Sequence, residues 1–198
     1  MARTIDARSR ILDAAAAALV AGGGEFEMGD VARRAGVSVG LAYHYFASKA
    51  GLLSALIGAF YDRYDAVVNQ RYDPAIPWPV REVRRVRAGV DFLYRDPIAP
   101  IILGKLSGSA QVVAAEAARQ RAMIELAALN IADGQKRGYI GAALDPAIFG
   151  AAIIGGVRQA AVQALAAPDR PDPERLAEQL WSFIAGALAL DVTDRARP

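Results

Sequence analysis

The chain holds a single histidine, His44, and it sits among Tyr43, Tyr45 and Phe46, with Lys49 three residues further on. One imidazole and no cysteine exclude His/Cys metal clusters and a Cys–His nucleophile pair. There is no Gly-x-Ser-x-Gly elbow, no His-Glu-x-x-His and no Gly-x-x-x-x-Gly-Lys loop for phosphate. The chemistry left to this stretch is recognition. Just before it, Ala35-Gly36-Val37-Ser38 reads as a helix end, a tight turn and a new helix start. Two short helices joined by a turn with glycine form a helix-turn-helix unit, whose second helix enters the DNA major groove. Aromatic residues at helical spacing also build cores, so spacing alone leaves contact and packing both open.

The elements that position this stretch follow from periodicity. Gly36 stands where a helix C-terminus takes a left-handed residue at no cost to glycine, and Ser38 offers an N-cap oxygen. Ala42 and Phe46, four apart, face inward together while Tyr43 and His44 point elsewhere. Upstream, Ile11, Ala15, Ala18 and Leu19 repeat at helical period over about residues 6–21. Gly22–Gly24 reads as a flexible end to that helix. A core of three such helices is marginal alone, so a fourth helix over about 50–71, bearing Leu52, Leu56, Ile57, Phe60 and Tyr64, must dock on it.

Residues 1–50 carry six cations (Arg3, Arg8, Arg10, Arg33, Arg34, Lys49) against five acids (Asp6, Asp13, Glu25, Glu27, Asp30), a nearly neutral balance. DNA binders commonly show a stronger basic stripe. Phosphate contacts here would rest largely on hydroxyls, N–H groups at helix starts and a few cations.

Ile11-Leu-Asp-Ala-Ala, Asp30-Val-Ala, Ala35-Gly-Val-Ser, Tyr43-His-Tyr-Phe and Ser48-Lys49 together resemble the N-terminal domain of TetR-family transcriptional regulators. The resemblance covers roughly residues 5–60. It implies an all-α fold: a three-helix helix-turn-helix DNA-binding domain, with its connecting helix, over 5–65, and a C-terminal helical ligand-binding and dimerisation domain over 66–198. It further implies a homodimeric repressor, not an enzyme, that leaves palindromic double-stranded operator DNA on binding a small, largely apolar effector. The family's DNA contacts fall on Ser38, Val39, Gly40, Leu41, Tyr43, His44, Tyr45 and Lys49. In that transfer Tyr43 and Tyr45 offer hydroxyls to phosphates, His44 donates to a base edge or phosphate, and Gly40 admits close approach. The family often has Lys where Val39 stands and Thr where Leu41 stands, which shifts the expected readout toward thymine methyls. A hydroxyl usually caps the second helix, yet Glu27 occupies that place.

Beyond residue 72, Asp73-Pro-Ala-Ile-Pro-Trp-Pro79 breaks the helical pattern. Helices are expected over about 80–95, 98–106, 109–136, 146–167 and 173–191, the last two opened by Asp-Pro steps. A composition 54% hydrophobic and rich in alanine favours helices over strands. The absence of cysteine fits a reducing cytoplasm, and Met1–Asp6 lacks a signal peptide's apolar core. The most apolar runs, Pro146–Val157 and Gln179–Leu190, hold only twelve uncharged residues each, so no membrane span is expected. No metal or cofactor is expected either.

The last two helices carry small residues four apart, which let helix axes approach closely. Ordinary packing within the chain is one reading. The resemblance favours the other, a two-fold four-helix interface built on Ala152, Gly156, Ala160, Ser182, Gly186 and Ala189. The middle helices would then enclose a pocket, with Phe92, Leu103, Met123, Leu126, Asn130, Phe149 and Arg158 as candidate liners. The competing function is a helical small-molecule-binding protein that has lost DNA binding.

Overall fold

A computed structural model describes residues 6–104 and 110–190. Among these the secondary structure is helical throughout: α1 (Ala7–Ala21), α2 (Met28–Ala35), α3 (Val39–Phe46), α4 (Lys49–Val68), α5 (Trp78–Arg95), α6 (Ala99–Gly104), α7 (Ala110–Lys136), α8 (Pro146–Ala166) and α9 (Pro173–Ala187). The chain resolves into two compact units. The first takes in the residues up to Arg63 and those from Asp96 to Arg119; the second takes in Tyr64–Arg95 and the residues from Gln120 onward. A boundary near 65 was expected; among the described residues, 96–104 and 110–119 group with the N-terminal helices.

In the first unit, the stripe on α1 buries Ile11, Ala15 and Leu19 completely, as its period requires. Val31 of α2, Ala42 of α3 and Leu52, Ile57 and Phe60 of α4 are equally enclosed. Asp6 caps α1 by accepting from the Arg8 N–H at 2.8 Å. The glycines after α1 form a tight turn, not a loose end. Gly23 and Gly24 take φ of +62° and +112°, and the Gly24 N–H bonds the Leu19 carbonyl at 2.9 Å. A side chain on Gly24 would also lie 3.5 Å from Ile101 of α6. α6 buries Ile101 and Ile102, with Ile98 just ahead of it, and Asp96 caps its approach through the Ile98 N–H at 3.0 Å.

In the second unit, Asp145 accepts from the N–H groups of Ala147 and Ile148 at 2.8 and 3.2 Å, and Asp172 does the same for Glu174 and Arg175 at 2.9 and 3.2 Å. Both caps precede a proline at the first helical position, where its missing N–H costs nothing. α9 packs most extensively on α5 and also on α8. Trp78, Ile131, Ile153, Trp181, Ile184 and Leu188 form the main core, and Val90, Ala164, Leu176 and Leu180 continue it. The Trp78 indole N–H is satisfied by the Asn130 carbonyl at 3.1 Å, as a buried indole requires. α9 stops at Ala187, short of the expected end near 191, because the chain turns left-handed at Ala189 (φ +50°) and the Leu190 N–H closes on the Ala185 carbonyl at 2.9 Å. The expected tail after it lies outside the described residues.

One expectation needs correcting. α8, of 21 residues, is long and apolar enough to cross a membrane by length and composition. Counting only uncharged runs missed it, because Arg158 is the single charge in the helix. In this fold α8 buries Gly150, Ile153, Ala161, Ala164 and Leu165 within the second unit.

Candidate DNA-binding face and ligand chamber

α2, the turn and α3 are built by local chemistry. Gly36 is left-handed (φ +65°) at the end of α2, and the Val37 N–H returns to the Ala32 carbonyl at 3.0 Å. Ser38 then starts α3, its Oγ accepting from the Leu41 N–H at 3.1 Å. Ala42 and Phe46 go into the core. The outward side consists of Val39, Leu41, Tyr43 and Tyr45, each 37–45% exposed, with His44 also exposed. The His44 and Tyr45 rings meet edge-on with centroids 5.7 Å apart. A side chain on Gly40 would approach only Ser38 Oγ, at 4.0 Å, so packing within the chain does not call for glycine there. All the expected contact residues on α3 therefore share one helix, with an apolar and aromatic front.

The cations around this face are largely occupied. Asp30 pairs with both Arg33 and Arg34, the Arg34 contact at 2.7 Å. The hydrogen bond from Arg34 holds the Asp30 carboxyl below its usual range. Lys49 Nζ lies 3.1 Å from Glu27 Oε1 and 3.9 Å from Glu25, above the Phe26 ring. Glu27 is the N-cap residue of α2 but makes no side-chain cap bond; its carboxylate turns to Lys49 instead. Arg8 and Arg10 make no ion pair among the described residues. Arg8 lies over Phe46 at 5.4 Å, and Arg10 Nη1 is 3.7 Å from where a side chain on Gly36 would begin. The sequence reading counted these two cations but gave them no site. Their signal was position on the first turn of α1, legible only once α1 was seen to run beside the α2–α3 turn.

The second unit holds a partly open chamber of about 160 Å³. α5 supplies one wall through Glu82, Arg85, Val86, Gly89 and Leu93, a helical stripe that periodicity could have found. Of the expected liners, Met123, Leu126 and Asn130 are there. Phe92 is not: one position off the α5 stripe, it meets Tyr64 edge-on at 5.6 Å. Phe149 packs against the core instead, Arg158 lies off the wall, and Leu103 belongs to the first unit. The aromatic walls Tyr64, Trp78 and Trp181 were missed, as was the polar corner. There Glu82, the only buried charged or polar residue among those described, accepts from Arg85 Nη1 at 2.8 and 3.0 Å and from Asn130 Nδ2. Arg85 Nε donates to the Val68 carbonyl at 2.7 Å. Burial pushes the Glu82 carboxyl above its usual range, with the Arg85 charge pulling the other way.

Ala152 on α8, Ser182 and Gly186 on α9, and Ala189 just beyond it are exposed. Ile148 and Phe183, 66% and 46% exposed, stand beside them as large apolar groups facing outward. Gly156 and Ala160 have neighbours in their own chain. A side chain on Gly156 would meet the Phe183 ring at 2.8 Å, and Ala160 packs on the core around Val90 and Leu176.

Fold and site define an all-α protein whose α2, turn and α3 form a helix-turn-helix. Residues 11–56 match the family described as bacterial regulatory proteins, tetR family. The chain is 47% identical over 64 residues to the HTH-type transcriptional repressor KstR of Mycolicibacterium smegmatis, a match spanning 32% of this chain and 31% of that protein. The fatty acid degradation regulator FadR from Bacillus halodurans shares the fold at a TM-score of 0.77 and 19% identity, over 96% of this chain and all of that one. A TetR-family regulator from Rhodococcus sp. does so at 0.70 and 23%, over 92% and 98%.

Proposed function

We propose that this protein is a cytoplasmic, homodimeric repressor that releases a palindromic operator when a small, largely apolar molecule fills the second unit. The observation that carries the reading is the outward face of α3. Four apolar or aromatic side chains there stay exposed on a helix capped for groove entry, inside residues 11–56, which match the tetR-family description. Val39 and Leu41 meet thymine methyls, while Tyr43, Tyr45 and Lys49 reach phosphates. Isolated copies of α3 would read one half-site each. Two of them set about 34–36 Å apart by a dimer reach successive major grooves, and the exposed α8–α9 face is the surface proposed to join the copies.

The chamber supports ligand control because α4 is one continuous helix. It buries Leu52, Leu56 and Phe60 in the first unit and lends Tyr64, Asp65 and Val68 to the chamber wall in the second. A ligand that displaces Tyr64, Asp65 or Val68 acts on the helix that also carries Leu52, Leu56 and Phe60, and a coupling of about 1–3 kcal/mol gives a 5- to 150-fold change in operator affinity.

Fluorescence anisotropy with the chain's own upstream DNA tests the core of this. Tyr43→Ala should weaken binding with helix content unchanged. Glu27→Gln, which removes the nearer of the two carboxylates at Lys49, should strengthen it and steepen the salt slope, since each phosphate neutralised adds about −0.9. Absence of binding to this DNA at any salt concentration would favour the DNA-silent ligand carrier, the reading suggested by the pairing of Arg33, Arg34 and Lys49 with carboxylates.

A further inference from the structure

We infer that the chamber takes an uncharged ligand of about the bulk of one aromatic ring, bearing a hydroxyl that donates to Asn130 Oδ1. This rests on the effector-chamber reading above and narrows the class of molecule.

Size comes first. At about 160 Å³ the chamber is close to a dry engineered cavity of about 150 Å³ that binds benzene. Its walls are chiefly aliphatic and aromatic, Trp78, Val90, Ile153, Val157 and Trp181 among them, so most of the ligand surface must be apolar.

The polar corner then selects the head group. Glu82 spends its carboxylate on Arg85 and Asn130, and Arg85 spends its charge on Glu82 while its Nε holds the Val68 carbonyl. The pair is neutral as a unit. A ligand anion would meet the Glu82 carboxylate beside a guanidinium that is already matched. A ligand cation would lose its hydration and find the Glu82 oxygens taken. A buried charge without a partner is costly in either sign. The acceptor the corner leaves open is neutral. Asn130 donates its Nδ2 to Glu82 and its backbone carbonyl accepts from Trp78, so Oδ1 remains as an acceptor on a residue that lines the chamber. A hydroxyl fits it. The ion pair, on this view, is a brace that orients Asn130, and the amide oxygen is the recognising atom.

Four probes of one size test this on the full chain by titration calorimetry: toluene, benzyl alcohol, benzoate and benzylammonium. Benzyl alcohol should bind about 5-fold more tightly than toluene, the worth of one net hydrogen bond, and both ions should bind more weakly than toluene. In Asn130→Ala the alcohol's advantage over toluene should vanish while toluene still binds. If either ion binds as well as the alcohol, or if toluene equals it in the parent protein, the head-group inference is overturned and the chamber stands. If none of the four binds, the effector-chamber reading fails as well.

Discussion

Replacing Arg85 with leucine isolates the polar corner of the chamber. Glu82 is 8% exposed and takes two hydrogen bonds from Arg85, so Arg85→Leu leaves a carboxylate buried with Asn130 as its remaining partner. Breaking a buried pair in this way costs about 3–5 kcal/mol. The Arg85 side chain is 26% exposed, which sets the value here near the lower end, about 3 kcal/mol at pH 7. For a chain of this size that lowers Tm by about 6–12 °C. The effect must depend on pH, with a definite sign. Burial already raises the Glu82 pKa in the folded protein, so the protonated form is the one folding favours. That stability is fully present below the unfolded glutamate value, about 4.3, and is lost as pH rises through the folded value. Removing Arg85 raises the folded value further. The penalty should therefore be large at pH 7 and shrink toward about 1 kcal/mol near pH 4.5, where what remains is the lost bond to the Val68 carbonyl. Urea unfolding of parent, Arg85→Leu and Glu82→Gln/Arg85→Leu at several pH values reads this directly. The double variant should recover most of the loss at pH 7 and flatten the profile. An equal penalty at pH 4.5 and 7, or no recovery in the double variant, would refute a buried and compensated Glu82.

Three other outcomes follow from the geometry. Gly186 has nothing within 4 Å of where a side chain would begin, so Gly186→Leu should leave the protomer folded yet weaken a two-fold dimer by about 30-fold or more in sedimentation, at about 1 kcal/mol or more per copy. Gly156→Leu is the poorer probe, because it collides first with Phe183 of its own chain. Phe60→Ala should reduce the effect of a bound ligand on operator affinity; an unchanged effect would route the signal elsewhere than α4. Ala47, between α3 and α4, has φ +59°, so Ala47→Gly should raise unfolding stability by about 1 kcal/mol, and a loss of stability would mean that the strain is absent.

The helices were legible because their signals are local. Asp145-Pro146, Asp172-Pro173, Ser38 and Gly36 mark helix ends through bonds made within three residues, and each stands at such an end. The apolar stripe on α1 likewise places its own core. The chamber was only half legible, because its wall depends on which face of α5 turns inward, and Phe92 and Leu93 cannot be told apart by hydrophobicity. Glu82 and Arg85 could have been found as charges i, i+3 on an otherwise apolar stripe. The pairing of Lys49 with Glu27, 22 residues apart, has no local signal at all.

The occupied cations of the first unit bear on how such a protein would share a genome. Sequence-independent attraction to DNA is mostly counterion release, and it scales with the positive charges a protein can lend to phosphates. With Arg33 and Arg34 held by Asp30 and Lys49 held by Glu27, few charges near α3 are on offer before a groove is engaged. A chromosome presents about 10⁶–10⁹ competing sites. Weak attachment to each of them leaves more of a small pool of molecules in free solution, and it makes occupancy of the correct site less sensitive to changes in cellular salt. The carboxylates beside the reading helix would thus trade grip for a shorter residence on the wrong sequence.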